Sequence, residues 1–281
     1  MKRIISAIIL IPAALLVVIY APPAIYLIGV GVLGSLCLYE YCGLIRNMGI
    51  RIRKRFVFPA FWFLLGVPGF LACKTIAGLD APQGTGYVAA AFTAVLLAAF
   101  LAAVWRPRLP MRERALVLMA ETLGVFYFAI FLYPVFSVRF EFGDTVGLHW
   151  TILLLAVIWI NDIAALAVGR KFGRTRFASQ LSPKKTNEGA IGGLLAGVII
   201  AVLLQRFLFT DLPTVHVVGV SVLAGVFGQL GDIAESLLKR AAEVKDSSRL
   251  IPGHGGALDR LDSLLFAFPV LYIYLVFLYQ Y

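Results

Sequence analysis

Long, uninterrupted apolar segments constrain the fold of this chain more than any other feature of its sequence. Each is close to the ~20 apolar residues that a helix needs to cross a bilayer. Hydrophobic residues make up 61% of the 281 positions and charged residues 14%, against about 45–50% and about 25% in a soluble domain. The sequence therefore predicts an all-α, polytopic integral membrane protein with about nine transmembrane helices. The nine predicted spans are roughly 4–20, 24–44, 56–76, 87–105, 115–136, 150–169, 190–209, 214–238 and 261–280.

Proline-rich breaks separate some of these spans. Ala21-Pro22-Pro23 cannot continue a helix, so it predicts a tight turn between the first two spans, and the prolines of segment 106–110 predict another. The first span follows Lys2-Arg3 as a signal peptide would, but it has no small-residue cleavage site before Pro22. We therefore interpret it as a transmembrane helix.

The basic residues are distributed unevenly between the two ends of the spans. If the N-terminus is cytoplasmic and the spans alternate in direction, 22 of the 25 Lys and Arg residues fall on the cytoplasmic side. This asymmetry predicts a cytoplasmic N-terminus and a C-terminus outside. It also accounts for the net charge of +10 without nucleic acid, because no basic cluster is interleaved with aromatic residues that could stack on bases.

The sequence divides by character into two parts. Residues 1–150 hold the N-terminal spans one to five, which are mostly apolar. Residues 151–281 form the predicted catalytic transmembrane region, which consists of spans six to nine with their cytoplasmic loops. The glycine pattern at 29–34 matches G-x-G-x-x-G but lies inside an apolar span, so we interpret it as helix packing and not as a dinucleotide site. Gly193-x-x-x-Gly197 has the same interpretation.

Two polar features in the second part are hard to explain by membrane insertion alone. Asp162 lies within an apolar span, where a carboxylate costs about 2.5–3.5 kcal/mol on insertion scales and usually marks a site. A buried ion pair or a helix–helix hydrogen bond is the alternative. The loop 181–189 carries two lysines and two hydroxyls before the seventh span, as a phosphate-binding segment would. A cytoplasmic loop that ends in a helix cap explains it equally well.

Residues 228–263 form the most informative segment. On a helix, the polar residues from Asp232 to Glu243 share one face, and Asp259 and Asp262 are three apart at the start of the ninth span. Carboxylates suit Mg²⁺, basic side chains suit phosphates, and glycines let backbone amides approach an anion. The combination predicts a site for a metal and a polyphosphate. The alternative is a salt-bridged surface helix followed by a glycine-rich turn.

Four short motifs in this segment carry a family resemblance. They are Ser236-Leu-Leu-Lys239-Arg240, Lys245-Asp246, Pro252-Gly253-His254-Gly255-Gly256 and Asp259-Arg260-Leu-Asp262. Together they resemble the signature of the phosphatidate cytidylyltransferase family, also called CDP-diacylglycerol synthases. Gly-Gln-x-Gly-Asp at 228–232 and Ser-Pro-Lys-Lys-Thr at 182–186 are similar to this family as well.

The resemblance implies a reaction and its partners. CTP and phosphatidate would give CDP-diacylglycerol and pyrophosphate, with Mg²⁺ and with K⁺ as a second cation. It also implies metal-binding aspartates at Asp232 and Asp259, a homodimer, and a place in the bacterial cytoplasmic (inner) membrane. No nucleic acid is expected as a partner.

The residues and the resemblance together assign the site. Residues predicted to be catalytic are Asp232, Asp259, Lys239, Arg240, Lys245, Asp246, His254 and Arg260. Residues predicted to bind substrate are Ser182, Lys184, Lys185, Thr186, Asp162, Ser236, Gly255 and Gly256. Residues predicted to bind metal are Asp232, Asp259 and Asp262.

Two other functions stay open at this point. A CTP-dependent polyprenol or phytol kinase would transfer the γ-phosphoryl group and release CDP in place of pyrophosphate. An ion-coupled transporter would use Asp162 on an ion path and would not need CTP. The basic, glycine-flanked residues on one side of the membrane favour the nucleotide enzymes.

Overall fold

The computed structural model describes residues 2–79, 84–105, 109–248, 250 and 255–279. Within these ranges the chain forms nine α-helices, and the last continues into a π-helical turn at Leu275–Tyr279. The helices are α1 Lys2–Tyr20, α2 Pro23–Asn47, α3 Lys54–Ile76, α4 Gly84–Val104, α5 Met111–Phe140, α6 Asp144–Phe172, α7 Asn187–Phe207, α8 Thr214–Ala241 and α9 Leu258–Tyr274.

Each predicted span falls on one of these helices, so the all-α, polytopic prediction is confirmed. In the described residues, eight helices are long and apolar enough to cross a membrane, and the Ile11–Tyr20 part of α1 is apolar too. The chain is a multi-pass membrane protein. The observed helices are mostly longer than the predicted spans, because their polar end turns continue past the apolar run: α5 has 30 residues and α8 has 28.

Prolines begin helices where the sequence predicts breaks. Pro22 is the N-cap of α2 and Pro23 its first residue, while Pro110 is the N-cap of α5. The missing proline N–H costs nothing at a first helical turn, since that N–H has no partner within the helix. The tight turn predicted around 21–23 is thus confirmed.

Helix α5 lies at the centre of the bundle. It contacts α2, α3, α4, α6 and α9, whereas α7 packs mainly on α6 and α8 packs mainly on α9. The break nearest the predicted division at residue 150 lies at 141–143, between α5 and α6. The contacts of α5 and α2 with α9 join the N-terminal helices to the region predicted to be catalytic.

Glycines allow close approach between α6 and α7. Gly193 and Gly197 are buried, and a Cβ on Gly193 would lie 2.7 Å from the carbonyl and side-chain oxygens of Asn161. Likewise, a Cβ on Gly31 or Gly34 would overlap Trp62 or Phe61 on α3. The packing interpretation is confirmed for these four glycines, whereas a Cβ on Gly29, the first glycine of the 29–34 pattern, would meet nothing within 4 Å.

Candidate active site

Three carboxylates meet where α8 and α9 approach each other. Asp232 and Glu235 lie on α8 and Asp262 lies on α9, and one oxygen of each lies within 4.8 Å of the others. We call these three residues the acidic cluster. Gly231 makes the approach possible, because a Cβ there would overlap the backbone carbonyl of Asp262.

Glu235 is the most buried member of the acidic cluster. Glu235 is 1% exposed, and its Oε2 accepts a hydrogen bond from the Lys239 ammonium one turn along α8. Its Oε1 is buried and has no hydrogen-bond partner among the described residues. An unpartnered buried carboxylate oxygen is costly, so it indicates a ligand at this position.

Two lysines contact the acidic side chains. Lys185 Nζ lies 2.6 Å from Asp232 Oδ2, and Lys239 Nζ lies 2.7 Å from Asp259 Oδ1 while it also contacts Glu235. These two ammonium groups therefore face more carboxylates than they can neutralise. A divalent cation would remove the remaining repulsion within the cluster.

Asp259 lies apart from the acidic cluster, in a set of hydrogen bonds at the start of α9. Its Oδ2 accepts from the backbone N–H groups of Ser247 at 2.9 Å and Gly256 at 2.8 Å, and it lies 2.8 Å from the Ser247 hydroxyl oxygen. Gly255 precedes this contact with φ +84°, and a Cβ there would lie 2.6 Å from Asp259 Oδ2. Only glycine combines that backbone conformation with so close a carboxylate. The prediction that Asp259 binds a metal stays a prediction.

The segment between α6 and α7 folds back on itself as a short hairpin, residues 173–186, which we call the basic hairpin. Arg176 and Thr186 pair in an antiparallel bridge, and the backbone N–H of Phe177 donates to the Lys185 carbonyl at 3.0 Å. Thr186 caps α7, because its hydroxyl oxygen accepts from the backbone N–H of Gly189. Lys184 is exposed. The hairpin thus places two lysines directly before the N-terminus of α7, which itself favours anions.

A buried amide network connects α6, α7 and α8 above the basic hairpin. Gln229 Nε2 donates to Asn161 Oδ1 and to the Ala190 carbonyl, both at 3.0 Å. Asp162, the neighbour of Asn161, has an exposed side chain on the surface of the helix bundle. Asn161 and Gln229 therefore fix the helices that carry the site. The Asn161 amide nitrogen also lies 3.5 Å from Oδ1 of Asp162, and the prediction that Asp162 binds substrate stays a prediction.

The remaining predicted residues take several positions. Arg240 donates from Nε to the Leu181 carbonyl at 3.2 Å, so it joins α8 to the basic hairpin. Ser236 is buried on α8 beside Glu235, and Ser182 is half-buried in the hairpin. Lys245, Asp246 and Arg260 are exposed. His254 lies outside the described residues.

Two functional candidates were missed by the sequence reasoning. Glu235 belongs to the predicted polar face of α8, but helical spacing alone does not mark it as a metal ligand. Glu40 on α2 was not singled out, although it is 3% exposed and accepts hydrogen bonds from the start of α9. The signal was present, because Glu40 is a carboxylate within an apolar span, as Asp162 is.

The donor set of the acidic cluster fits a magnesium ion. Mg²⁺ prefers oxygen ligands and is usually held by one or two carboxylates together with substrate phosphates. Asp232, Glu235 and Asp262 supply such oxygens, and the unpartnered Glu235 Oε1 is the atom that most needs a cation.

Comparisons with known proteins place this chain in a family. The model described as the cytidylyltransferase family matches residues 1–278. A protein named phosphatidate cytidylyltransferase from Bacillus subtilis (strain 168) is 41% identical over 132 residues, which are 47% of this chain and 49% of that relative. Relatives of the same name from Staphylococcus haemolyticus (strain JCSC1435) and Staphylococcus aureus (strain COL) are 42% and 40% identical over 130 residues each, covering 46% of this chain and 50% of each relative.

The alignments with these relatives are partial, since the chain spans about half the length of the curated relatives it matches. The family model, in contrast, covers all nine helices. The chain therefore belongs to the cytidylyltransferase family.

Proposed function

We propose that this protein transfers the cytidylyl group of CTP to phosphatidate and so forms CDP-diacylglycerol and pyrophosphate. The observation that carries the proposal is the acidic cluster, with the unpartnered Glu235 oxygen, directly beside the Lys185 and Lys239 ammonium groups. Carboxylates for a divalent cation and lysines for phosphates are what a nucleoside triphosphate requires. The names of the relatives support phosphatidate as the second substrate.

The reaction needs charge neutralisation more than it needs a base. A phosphate oxygen of phosphatidate attacks the α-phosphorus of CTP, a new P–O bond forms, and the bond to the β-phosphate oxygen breaks as pyrophosphate leaves. The attacking oxygen is already anionic, so no side chain has to remove a proton from it. Positioning and electrostatic stabilisation therefore supply most of the rate, as in phosphoryl transfer generally.

The described residues divide this work. Lys184 and Lys185 on the basic hairpin would hold the phosphates of CTP together with the N-terminus of α7. Lys239 keeps Glu235 and Asp259 oriented through its two contacts. Arg240 steadies the hairpin through the Leu181 carbonyl. These residues would orient the nucleotide at the end of the bundle where the lipid headgroup arrives from the bilayer.

Asp232, Glu235 and Asp262 would hold Mg²⁺, which when bound neutralises phosphate charge and stabilises the leaving pyrophosphate. K⁺ as a second cation is part of the proposal from the family resemblance, and so is a homodimer. We further propose that the protein lies in the bacterial cytoplasmic membrane with the N-terminus and the site on the cytoplasmic side, because 22 of 25 basic residues then face the cytoplasm.

Position-specific labelling of CTP tests the function directly. Purified protein in detergent micelles is given phosphatidate, Mg²⁺, and CTP that carries a radioactive label on either the α- or the γ-phosphate. We expect the α-label to appear in the lipid and the γ-label in pyrophosphate. A γ-label in the lipid, with release of CDP, would show phosphoryl transfer and would contradict the proposal.

Two further samples serve as controls. Polyprenol or phytol in place of phosphatidate should accept no label. Asp211 lies on the loop between α7 and α8, and its carboxylate lies 2.8 Å from His149 Nδ1. The variant Asp211→Asn should keep the wild-type rate. Absence of lipid labelling from either form of CTP would leave the nucleotide enzymes without support and favour a transporter.

A further inference from the structure

Glu40 connects the N-terminal helices to the segment that carries the family motifs. It lies on α2, it is 3% exposed, and it accepts four hydrogen bonds from residues 247–258. Its Oε1 accepts from the Ser248 hydroxyl at 2.7 Å and the Ala257 backbone N–H at 2.9 Å. Its Oε2 accepts from the Ser247 hydroxyl and the Leu258 backbone N–H, both at 2.8 Å.

Two of these donors belong to the start of α9. A helix leaves its first backbone N–H groups without partners, and a nearby side chain usually accepts from them. The N-cap residue of α9 is Ala257, which has no side chain able to do this. Glu40 therefore caps α9 from another helix, and its negative charge suits the positive end of the α9 dipole.

The other two donors hold the segment before α9. Ser247 connects Glu40 to Asp259, because its hydroxyl lies 2.8 Å from an oxygen of each and its backbone N–H donates to Asp259 Oδ2. Asp259 in turn contacts Lys239, which contacts Glu235 of the acidic cluster. A continuous chain of hydrogen bonds thus runs from Glu40 to the carboxylates proposed to hold Mg²⁺.

Gly256 confirms how closely Glu40 approaches this segment. A Cβ at position 256 would overlap both the Ser247 hydroxyl and Glu40 Oε2. The second glycine of the Gly255-Gly256 pair is therefore required by a contact with α2, 216 positions earlier in the chain, and not by a phosphate alone.

We propose that Glu40 is a positioning residue, which fixes the start of α9 and the Ser247–Ser248 segment so that Asp259 and Lys239 stay oriented for cytidylyl transfer. This inference rests on the proposed function. Outer residues that orient metal-binding or catalytic groups typically contribute about 10- to 100-fold to affinity or activity. We expect an effect of that size on turnover.

The variant Glu40→Gln tests the proposal with little change in volume. In Glu40 each carboxylate oxygen accepts hydrogen bonds, but an amide has one acceptor oxygen and one NH₂ group that only donates. One backbone N–H at the start of α9 therefore loses its acceptor in Glu40→Gln. We expect the turnover number to fall about 10- to 100-fold while KM for CTP changes less than about threefold. Glu40→Asp keeps the charge but is one methylene shorter, and we expect it not to restore turnover.

Glu121→Gln is the matched control. Glu121 is also fully buried, and it accepts hydrogen bonds from the Arg53 backbone N–H and guanidinium. It takes no part in the network of Glu40. Removing its charge should lower the unfolding midpoint, because it leaves Arg53 without its partner, but turnover measured well below that midpoint should stay within about twofold of wild type.

Two additional measurements keep a structural role separate from a positioning role. Ser248→Ala removes one donor to Glu40, so its effect on turnover should be non-additive with that of Glu40→Gln. Trypsin should cut after the exposed Lys245 faster in Glu40→Gln than in wild type or Glu121→Gln. This cleavage does not depend on catalysis, so it tests the inference even if wild-type protein makes no CDP-diacylglycerol and the proposed function fails.

Either of two results would overturn the inference. One is a Glu40→Gln protein that keeps more than half of the wild-type turnover number. The other is a combination of three results. The activity of Glu40→Gln falls only in proportion to the fraction of folded protein, the effects of Glu40→Gln and Ser248→Ala on turnover are additive, and the rate of trypsin cleavage after Lys245 is unchanged.

Discussion

The Lys239 ammonium contacts two carboxylates that belong to different parts of the site. Glu235 is a member of the acidic cluster, whereas Asp259 is bound to Ser247 and to the backbone of Gly256. Lys239 is on α8 and Asp259 is on α9, so this side chain fixes the distance between the two helices where the chemistry is proposed. Replacing it would leave two buried carboxylates without their cation.

At the residue scale we predict that Asp232→Asn and Glu235→Gln each lower the turnover number on the order of 10²-fold or more, as loss of a main charge-stabilising group does. The amides keep the shape of the side chains but lose the charge that a divalent cation requires. The rate of CDP-diacylglycerol formation is measured at several Mg²⁺ concentrations. We expect a chelator to abolish wild-type activity and added Mg²⁺ to restore it.

The same measurement separates Asp259 from the acidic cluster. If Asp259 acts through its hydrogen bonds, Asp259→Asn should reduce turnover without raising the Mg²⁺ concentration needed for half-maximal activity. A raised Mg²⁺ requirement in Asp259→Asn would instead make this carboxylate a ligand. Near-normal activity of a folded Asp232→Asn protein at limiting Mg²⁺ would refute the cluster as the metal site.

Residue spacing identified some of this chemistry and could not identify the rest. The acids of α8 share a face by helical periodicity, so Asp232 was predictable. The same periodicity placed Asp259 beside Asp262, yet Asp259 lies in the first turn of α9, where nearby backbone N–H groups attract its carboxylate. The part played by Glu40 depends on the packing of α2 against α9, which no local pattern encodes.

At the scale of elements, the basic hairpin is held at both of its sides. Glu188 on α7 accepts from the backbone N–H groups of Arg174 and Thr175, and Arg240 on α8 donates to the Leu181 carbonyl. A loop fixed in this way can present Lys184 and Lys185 to a ligand without first becoming ordered, so the entropic cost of binding is small.

We predict that Lys184→Ala and Lys185→Ala each raise KM for CTP several-fold and change KM for phosphatidate much less, because each removes a point charge from the phosphates. Lys185→Ala should have the larger effect, since it also removes the partner of Asp232. Lys171→Ala is the control, because this exposed lysine is at the end of α6 and outside the hairpin. Unchanged KM for CTP in both hairpin variants would show that the loop serves topology and helix capping alone.

At the scale of the whole molecule, the site combines elements from both parts of the chain. The acidic cluster and the basic hairpin come from α6 to α9, and Glu40 comes from α2. All of them lie at the helix ends that face the cytoplasm in the orientation proposed from the distribution of Lys and Arg. That placement is suitable for a water-soluble nucleotide and a lipid that stays in the bilayer.

We predict that a thiol reagent unable to cross membranes labels Asp144→Cys in intact cells but labels Lys184→Cys only after permeabilisation. The two positions lie at opposite ends of α6 and its following hairpin. Each substitution is made in a background without Cys37, Cys42 and Cys73, which are free thiols. Labelling of Lys184→Cys in intact cells would reverse the proposed orientation.

The fold was more accessible to prediction than the site for a physical reason. Apolar length and proline breaks are local properties, and a membrane converts them directly into helices because each backbone N–H needs a partner within its own segment. The contacts of α5 with five other helices have no such local signal. They depend on glycines and side-chain shapes that act across distant segments, as Gly124 on α5 and Tyr41 on α2 do.

The pairing of Glu40 with α9 also has a consequence for how the protein is made. Glu40 and Leu258 are 218 residues apart, so the ribosome completes α2 long before α9 exists. During that interval the nascent chain carries a membrane carboxylate whose later hydrogen-bond donors have not been synthesised, and such a group is costly in hydrocarbon. Arrival of the last helix relieves this cost and completes the site in the same event. A chain that stops before α9 would keep the Glu40 carboxylate in the membrane without the backbone N–H donors of Ala257 and Leu258 that stabilise it in the complete fold.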